Sequence, residues 1–312
     1  MISAIIQGLA SGTLYALVAV GLILVFKGSR VLNLAQGEMG ALSFIVLLAV
    51  WRAMGLVPAD TRETSVAAGV GLMLATILAT ALMGIAVERV IMRRLVERPA
   101  VQGTIATLGL AIVLIYTELL LEPRLIPEGT SSYPIPAPVA FGRGSVRVLD
   151  ASLPAPLVAA FVATALLGFA LFVFFNRTRF GLGVVAATSD NTVARILGIP
   201  VAKVYRFTWG VGGALSGLAA SLAPGTLQAD SIKPSEMTFI LIVALAAAVV
   251  GGLDNINGGI VGGLVIGVVI ALAKYQFPGL GGVDNLAILL VVVATLLVRP
   301  RGLLGGAGAE VA

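Results

Sequence analysis

The sequence predicts an all-α integral membrane protein: a polytopic bundle of about eight to ten transmembrane helices, some broken or re-entrant, with a short cytoplasmic helix. Hydrophobic residues make up 59% of the 312 residues and charged residues 11%, whereas soluble domains carry about 25% charged residues. The mean hydropathy is +1.07. The lipid bilayer must therefore be the solvent for most of the chain.

Nine apolar stretches approach the roughly 20 residues that a helix needs to cross a hydrocarbon core about 30 Å thick. They are residues 2–26, 34–51, 64–87, 103–121, 153–175, 205–223, 237–253, 258–277 and 283–298. The first stretch lacks a basic leader and is longer than a signal-peptide core, so we expect it to be retained. Spans one and two, and spans seven and eight, are closely joined, which indicates that one is re-entrant or broken.

Lysine and arginine predict the orientation, because cytoplasmic loops carry an excess of them. With the N-terminus outside and the C-terminus in the cytoplasm, 13 of the 20 basic residues fall inside and 7 outside. The inside set is Lys27, Arg30, Arg89, Arg93, Arg94, Arg98, Arg177, Arg179, Arg195, Lys203, Arg206, Arg299 and Arg301. We expect a multi-pass protein of the cell membrane.

Residues 122–152 form the longest outside loop, and five prolines exclude a helix there. The stretch 141–151 alternates weakly and predicts a small hairpin. The loop is either a solvated connector or a docking surface for an external protein. We expect residues 1–312 to form a single transmembrane domain.

Several kinds of chemistry are excluded by composition. The chain has no cysteine and no histidine, so disulfides, zinc sites and imidazole or thiol catalysis are absent. It contains no phosphate-binding G-x-x-x-x-G-K-[ST] motif. We therefore expect no enzymatic activity and no cofactor bound by this chain. The net charge of +5 is spread between apolar spans, which argues against nucleic-acid binding.

Residues 176–206 are a polar, arginine-bearing island between apolar spans. Asp190 is placed to cap a short helix, and Gly198 followed by Pro200 ends it. A membrane protein keeps such a helix outside the lipid when a soluble partner must bind it. We predict a cytoplasmic docking helix here.

Asn33, Gln36 and Glu38 enter the second span directly after cytoplasmic Lys27 and Arg30. Polar side chains in a membrane normally face protein or a water-filled cavity. Two readings are open: Glu38 pairs with Lys27 or Arg30 at the interface, or the helix is broken there, helped by Gly37 and Gly40, and lines a path through the membrane.

Three further polar positions have weaker signals. Glu118 lies near the outer end of span four, where we expect it to reach the interface. Thr104 and Thr107, near the inner end of that span, are typical of hydroxyls that bond their own helix. Tyr15 is either a packing residue or, with Asn33, Gln36, Glu38 and Thr107, a candidate for lining a path.

Glycines recur at four-residue spacing, which lets helix backbones approach closely. This is either ordinary packing within the bundle or a seam with a second membrane subunit. Span eight contains Gly258, Gly259, Gly262, Gly263 and Gly267. The same spacing separates Gly8 from Gly12 and Gly213 from Gly217, and Gly252 lies in the turn 251–259.

Four blocks together resemble the LivH-type permease subunits of ATP-binding-cassette importers for branched-chain amino acids. They are GTLYALVAVGLILVFKGSRVLNLAQGE (12–38), TRFGLGVVAATSDNTVARILGIPVAKV (178–204), VVGGLDNINGGIVGGLVIGV (249–268) and LLVRPRGLLG (296–305). They occur in the family's order and the resemblance covers nearly the whole chain.

The resemblance implies a permease that receives solute from an external binding protein. It implies a second, LivM-like permease subunit, not fused to this chain, and two cytoplasmic ATPases that hold ATP and magnesium. The family's coupling helix corresponds to 187–199. Its matching positions are Asp190, Ala194, Arg195, Leu197 and Gly198.

Three positions depart from the family pattern: Asn257 stands where a proline is usual, Asp254 adds a charge, and Gln36 replaces a common histidine. These differences bear on the solute. Related permeases carry urea or short amides, and an ion-coupled secondary transporter is a further alternative. The latter needs intramembrane carboxylates, for which Glu38 and Glu118 are the candidates.

Overall fold

A computed structural model describes residues 1–58, 64–95, 98–125, 135–136, 144–148, 151–189, 194, 196–226, 231–232 and 236–305. Ten α-helices run through these residues, and they confirm the predicted helical class. They are α1 (Ile2–Ser29), α2 (Gln36–Ala53), α3 (Val66–Val90), α4 (Ala100–Leu125), α5 (Ala155–Arg177), α6 (Arg179–Ser189), α7 (Val201–Thr226), α8 (Glu236–Gly251), α9 (Ile256–Gln276) and α10 (Val283–Val298).

Nine of these helices correspond to the nine predicted spans, with ends that differ by a few residues. The additional helix is α6, which bends by 87° from α5. It begins where the Thr178 hydroxyl accepts a hydrogen bond from the Gly181 N–H at 3.0 Å, which is a helix-capping contact. Thr178 is therefore the residue from which the start of α6 could have been predicted.

Four short strands lie outside the helices. β2 (Ser145–Val148) and β3 (Ala151–Pro154) pair antiparallel, so the hairpin expected within 141–151 exists but extends a few residues further along the chain. β1 (Ile135–Pro136) pairs antiparallel with β4 (Ser231–Ile232). This second pairing joins the loop after α4 to the segment between α7 and α8.

Close backbone contacts between antiparallel helices organise the core. Along α1 and α9, a side chain at Gly8 would meet the Val268 backbone at 2.7 Å, and one at Gly12 would meet the Gly263 carbonyl oxygen at 2.8 Å. Gly217 makes an equally close approach between α7 and α3, where Thr76 lies. The four-residue glycine spacing therefore packs helices within this chain.

The helix contacts repeat in two inverted halves. Helix α1 of the first half packs along α9 of the second, and in the corresponding way α7 of the second half packs along α3 of the first. Likewise, α8 packs on α1, and α2 packs on α7. Helices α2 and α8 contact each other where the two halves join. Because α1 and α7 are antiparallel, α1–α4 and α7–α10 are related as inverted-topology repeats, an arrangement known from membrane transporters.

Two ends of the bundle follow from these directions. The Lys27 end holds the C-terminus of α1, the N-terminus of α7 and the turn between α8 and α9. The Ser3 end holds the N-terminus of α1 and the C-termini of α7 and α9. Among the described residues, α1, α3, α4 and α9 are long and apolar enough to cross a membrane, and the bent pair of α5 and α6 gives a fifth candidate.

The remaining helices, α2, α7, α8 and α10, are shorter or more polar than these candidate membrane spans. At about 1.5 Å per residue, the 16 residues of α8 and of α10 extend roughly 24 Å, less than a hydrocarbon core of about 30 Å. Helix α2 begins inside the bundle rather than at its end. Span two is therefore the re-entrant one of the closely joined spans, and its helix begins at Gln36, two residues after the predicted start.

Replacing Gly12 with alanine tests the packing of α1 against α9. The new methyl group would meet the Gly263 carbonyl oxygen and the Leu264 Cα at 2.8 and 3.0 Å, so the helices must move apart. We expect a loss of about 1–3 kcal/mol, measured as a lower unfolding temperature of the purified protein. Gly109→Ala is the control, since nothing lies within 4 Å of that position; equal effects of both changes would contradict the contact.

Candidate functional site

Residues 30–35 turn back into the bundle after α1. The helix ends at Arg30, whose backbone is left-handed (φ 56°), and α2 begins at Gln36. The Gln36 amide donates to the Val18 carbonyl at 3.1 Å, and Gly21 leaves room for it. Since Gly21 lies eight residues before Ser29, α2 begins roughly 12 Å above the end of α1.

This re-entrant segment has its polar backbone satisfied by α4. The Thr107 hydroxyl donates to the Leu32 carbonyl at 2.9 Å and accepts from the Leu34 N–H at 3.1 Å. Thr104 accepts from the Leu32 N–H at 3.3 Å. Thr104 also donates to the Ala100 carbonyl of its own helix, as expected, and the Thr107 hydroxyl proton is shared between the Leu32 carbonyl and the Thr104 carbonyl of its own helix at 2.8 Å. The contact of both threonines with the segment could not be seen in the sequence.

Asn33 holds the turn that starts α2. Its side-chain oxygen accepts from the Ala35 N–H at 3.2 Å, and its backbone carbonyl accepts from the Gln36 N–H at 3.2 Å. Asn33 is 1% exposed. Gly37 and Gly40 do not break the helix; they bring α2 against the backbones of Met237 and Ser216.

Glu38 is buried where the two halves of the bundle meet. It is 1% exposed and accepts a hydrogen bond from the Thr238 hydroxyl, in the first turn of α8. The pairing of Glu38 with Lys27 or Arg30 is wrong. Arg30 instead lies 3.6 Å from the Asp254 carboxylate, and Lys27 donates to the Asp254 carbonyl at 2.9 Å.

Glu118 lies beside Glu38 rather than at the outer interface. Its side chain is 1% exposed, and it interacts with the Glu38 side chain across the contact of α4 with α2. The expectation that it reaches the interface is wrong because α4 turns this position toward α2. Glu38, Glu118 and Thr238 form one buried polar cluster, named here the central cluster.

Tyr15 lines a cavity of about 460 Å³ at the Ser3 end. The cavity is bordered by a polar stripe of α1 at four-residue spacing, Ser3, Gln7, Ser11 and Tyr15, together with Lys274. Lys274 also lies 3.3 Å from the Asp284 carboxylate. Exposed polar side chains along one face of an apolar helix require water or protein beside them.

The predicted docking helix is described in part. Asp190 and Arg195 lie outside the described residues. Residues 194 and 196 are helical, and the Ile199 N–H donates to the Ala194 carbonyl at 2.9 Å while Gly198 is left-handed (φ 77°). This six-residue closure is a helix-ending motif. Ala194 is buried, whereas Ile196 and Leu197 are 79% and 70% exposed.

An aromatic cluster ties this region to α7. Phe207 of α7 stacks on Phe174 of α5, with ring centroids 5.1 Å apart, and meets Phe180 of α6 edge-on at 5.2 Å. Such pairs contribute about 0.5–1.5 kcal/mol beyond burial. The bend between α5 and α6 is therefore packed against α7.

The turn between α8 and α9 is closed by the segment after α10. The N–H groups of Leu303 and Leu304 donate to the carbonyls of Val250 and Gly251 at 2.8 and 3.0 Å. Asn255 caps α9 and donates to the Leu304 carbonyl at 2.9 Å. Gly252 is left-handed (φ 107°).

The glycines that follow this turn make backbone contacts. Gly258 packs on the Gly251 backbone, while Gly259 and Gly263 pack on Val20 and Ala16 of α1. Two of the four blocks quoted above, 249–268 and 296–305, thus form one structure at the Lys27 end.

Metal chemistry has no support among the residues that the structure describes: these contain no group of three or more acidic, histidine or cysteine side chains placed to hold a metal ion. What they do provide is a bundle with a re-entrant helix start, a buried polar cluster between inverted halves and an exposed helix end at the basic face.

Comparison with known proteins gives a consistent result. Residues 4–298 match the family model described as "Branched-chain amino acid transport system / permease component". The chain is 30% identical over 302 residues to the high-affinity branched-chain amino acid transport permease protein BraD of Pseudomonas aeruginosa, covering 96% of this chain and 94% of that protein.

Two proteins named LivH are similar to the same extent. The Escherichia coli protein is 30% identical over 305 residues, with 96% of this chain and 94% of that protein covered. The probable LivH of Methanocaldococcus jannaschii is 29% identical over 304 residues, with 94% and 89% covered.

Replacing Thr107 with valine tests the role of α4 in holding the re-entrant segment. The change keeps the shape but removes this hydroxyl from the half-buried Leu34 N–H and Leu32 carbonyl, which then keep only their 3.2 Å contact with each other. Losing such a hydrogen bond costs about 0.5–1.5 kcal/mol. We expect a lower unfolding temperature. Thr117→Val is the matched control, because that hydroxyl bonds only the Val113 carbonyl of its own helix; if Thr117→Val were equally damaging, the segment would not depend on Thr107.

Proposed function

The chain belongs to the permease component family of branched-chain amino acid transport systems, and we propose that it carries branched-chain or other hydrophobic amino acids across the cell membrane as one subunit of an ATP-binding-cassette importer. The observation that supports this best is the family match over residues 4–298. The two inverted halves of the helical bundle agree with it, because such repeats are known from membrane transporters.

The proposed orientation places the Lys27 end in the cytoplasm. Every described member of the predicted inside set is at or next to this end, through α1, the α3–α4 junction, the α5–α6 bend, the start of α7 and the segment after α10. Cytoplasmic faces of membrane proteins carry such an excess of basic residues. The N-terminus is then outside, and the C-terminus lies in the cytoplasm.

The coupling helix of the proposal is the segment 187–199, with Asp190, Ala194, Arg195, Leu197 and Gly198 as its contact positions. Its end presents Ile196 and Leu197 to solvent at the proposed cytoplasmic face. An apolar pair in water is stabilised when a partner protein covers it. We assign that partner to the cytoplasmic ATPases, which would hold the ATP and magnesium.

Movement of the coupling helix would reach the bundle along two connections. One is covalent, since α7 begins at Val201, directly after Pro200. The other is the packing of Phe180 and Phe174 on Phe207. Because α7 contacts both α1 and α3, a displacement of α7 would shift the two halves against each other.

The solute path of the proposal is lined at the outer end by Tyr15 and the polar stripe of α1. Deeper in the bundle it involves Asn33, Gln36, Glu38 and Thr107, at the start of α2. The hydrogen bonds of these four residues support a role in which they hold the re-entrant helix in position beside the path. The second permease subunit would complete the path.

The complex of the proposal contains this permease, a second LivM-like permease, two ATPases and an external solute-binding protein. Hydrolysis of ATP would be confined to the ATPases, and this chain would not be an enzyme. Urea or short amides are the alternative solutes.

Transport by the unmodified complex tests the proposed solute, and replacing Leu197 with glutamate tests the proposed coupling. The complete complex in proteoliposomes, with binding protein outside and ATP inside, should accumulate labelled leucine and not labelled urea. We expect Leu197→Glu to reduce leucine uptake and leucine-stimulated ATPase activity at least tenfold, because a charge replaces the apolar contact with the ATPase.

The matched control is Leu304→Glu, the same change at a 41% exposed residue of the same face, which should leave uptake nearly normal. Uptake of urea in place of leucine would contradict the proposed solute. If the Leu197→Glu complex kept normal leucine uptake and normal leucine-stimulated ATPase activity, this segment would not contact the ATPase.

Single cysteines test the orientation, since the natural chain has none and each new thiol is unique. In intact cells, a membrane-impermeant maleimide should label Ser3→Cys and leave Ile196→Cys unlabelled, because one lies at the Ser3 end and the other at the Lys27 end. After the cells are opened, both should react. Labelling of Ile196→Cys in intact cells would reverse the proposed orientation.

A further inference from the structure

Two cavities meet along α1, between α5 and α9, away from the Tyr15 cavity and from the central cluster. One has a volume of about 280 Å³ and lies at the Lys27 end, beside Phe175 and the turn between α8 and α9. The other has a volume of about 310 Å³ and lies deeper in the bundle. Asn257 lines both cavities, so they form one groove, named here the α5–α9 groove.

One face of α5 forms a wall along the whole groove. Helix α5 packs on α1, and a side chain added at Gly168 would meet the Ile260 Cδ1 atom of α9 at 2.8 Å. The groove is therefore bounded by three helices. The residues of α5 that line it recur at three- or four-residue spacing, which places them on one side of the helix: Phe161, Thr164, Gly168, Leu171 and Phe175.

The deeper part of the groove is apolar and open to the surroundings of the bundle. Phe161 and Phe169 in its lining are 47% and 68% exposed, and Ile260 and Leu264 line it from α9. Helices α1 and α9 and the bent pair of α5 and α6 are candidate membrane spans, so this part of the groove lies at membrane depth. An unfilled apolar groove forfeits van der Waals contacts, which a lipid acyl chain can supply.

The length of the groove fits one leaflet of a bilayer. Asn257 and Leu264 are seven residues apart on α9, which is roughly 10 Å along the helix. Half of a hydrocarbon core of about 30 Å is about 15 Å. A groove that starts at the Lys27 end and runs this far stays within a single leaflet, as a phospholipid does.

The cavity at the Lys27 end favours an acidic headgroup. A lysine ammonium has three donors, and one donor of Lys27 bonds the Asp254 carbonyl at 2.9 Å, which leaves donors for a phosphate. Asp254 is the acidic residue of the lining, and its carboxylate lies 3.6 Å from Arg30. Arg177 is exposed two residues after Phe175. Three positive charges thus stand against one carboxylate, and basic pockets between membrane helices attract acidic lipid headgroups.

We propose that the α5–α9 groove binds one acidic phospholipid, with its phosphate at Lys27 and Asn257 and one acyl chain along Phe161 and Ile260. The site is separate from the solute path. Its place in the cytoplasmic leaflet rests on the proposed orientation, whereas lipid binding does not rest on transport. Because Phe175 and Val184 both line the groove, the lipid braces the bend between α5 and α6.

Native mass spectrometry of the purified complete complex tests the site. The complex is stripped of lipid in detergent, and phosphatidylglycerol or phosphatidylcholine with the same acyl chains is then added. When the complex is dissociated in the gas phase, we expect this chain to retain one phosphatidylglycerol under conditions that remove phosphatidylcholine. Glycerol phosphate, which has the charged headgroup and no acyl chain, should not displace it.

Two changes in the groove should reduce this retention for different reasons. Lys27→Gln removes the charge at the headgroup and should weaken phosphatidylglycerol binding about tenfold, the loss expected for a hydrogen bond to a charged group. Ala165→Trp fills the deeper part of the groove and should exclude both lipids. Lys203→Gln and Ala170→Trp are the matched controls, at exposed residues outside the groove lining, and should retain phosphatidylglycerol as the unmodified complex does. Equal unfolding temperatures confirm that the variants fold.

Three results would overturn the proposal. Full retention of phosphatidylglycerol by both Lys27→Gln and Ala165→Trp would place the lipid elsewhere on the chain. No retention by the unmodified complex would mean that a partner subunit, and not a lipid, covers the groove. Displacement by glycerol phosphate would assign Lys27 to a free phosphate. Leucine uptake is measured separately, and its failure would refute the proposed transport function and leave the lipid result standing.

Discussion

Backbone hydrogen bonding in a medium without water is the constraint on which this structure depends. Helices meet it by themselves, and the one described non-helical segment that enters the bundle, residues 30–35, meets it through Thr107, Thr104 and Asn33. Once these side chains hold the segment, α2 begins inside the bundle. Glu38 then lies at the junction of the two halves, where it accepts a hydrogen bond from Thr238 and interacts with Glu118.

Much of the fold could be predicted from the sequence, because hydrophobic runs in lipid admit few structures. The nine apolar stretches became helices, and Gly198 ended the short helix at the basic face for the predicted reason. The start of α2 was expected to be re-entrant or broken, but how far inside the bundle it lies could not be predicted. Its depth depends on Gln36 reaching Val18 and on Thr107 reaching Leu32, contacts between residues 18 and 75 positions apart that no local pattern records.

The polar residues of the candidate site were found more easily than their partners. The place of Glu38 in an apolar span predicted that it faces protein or a cavity, but its contact with Glu118 requires the packing of α2 on α4. Asp254 was noted as an unusual charge, and the structure explains it by Arg30 and Lys27.

The pairing of distant helices also bears on how the chain is made. Helix α1 is among the first segments to leave the ribosome, yet its main partner α9 begins at Ile256. At about 5–20 residues per second, the glycine face of α1 waits roughly 10–45 seconds for that partner. During synthesis the glycine face of α1 must therefore lie against the insertion machinery or lipid until α9 has been made.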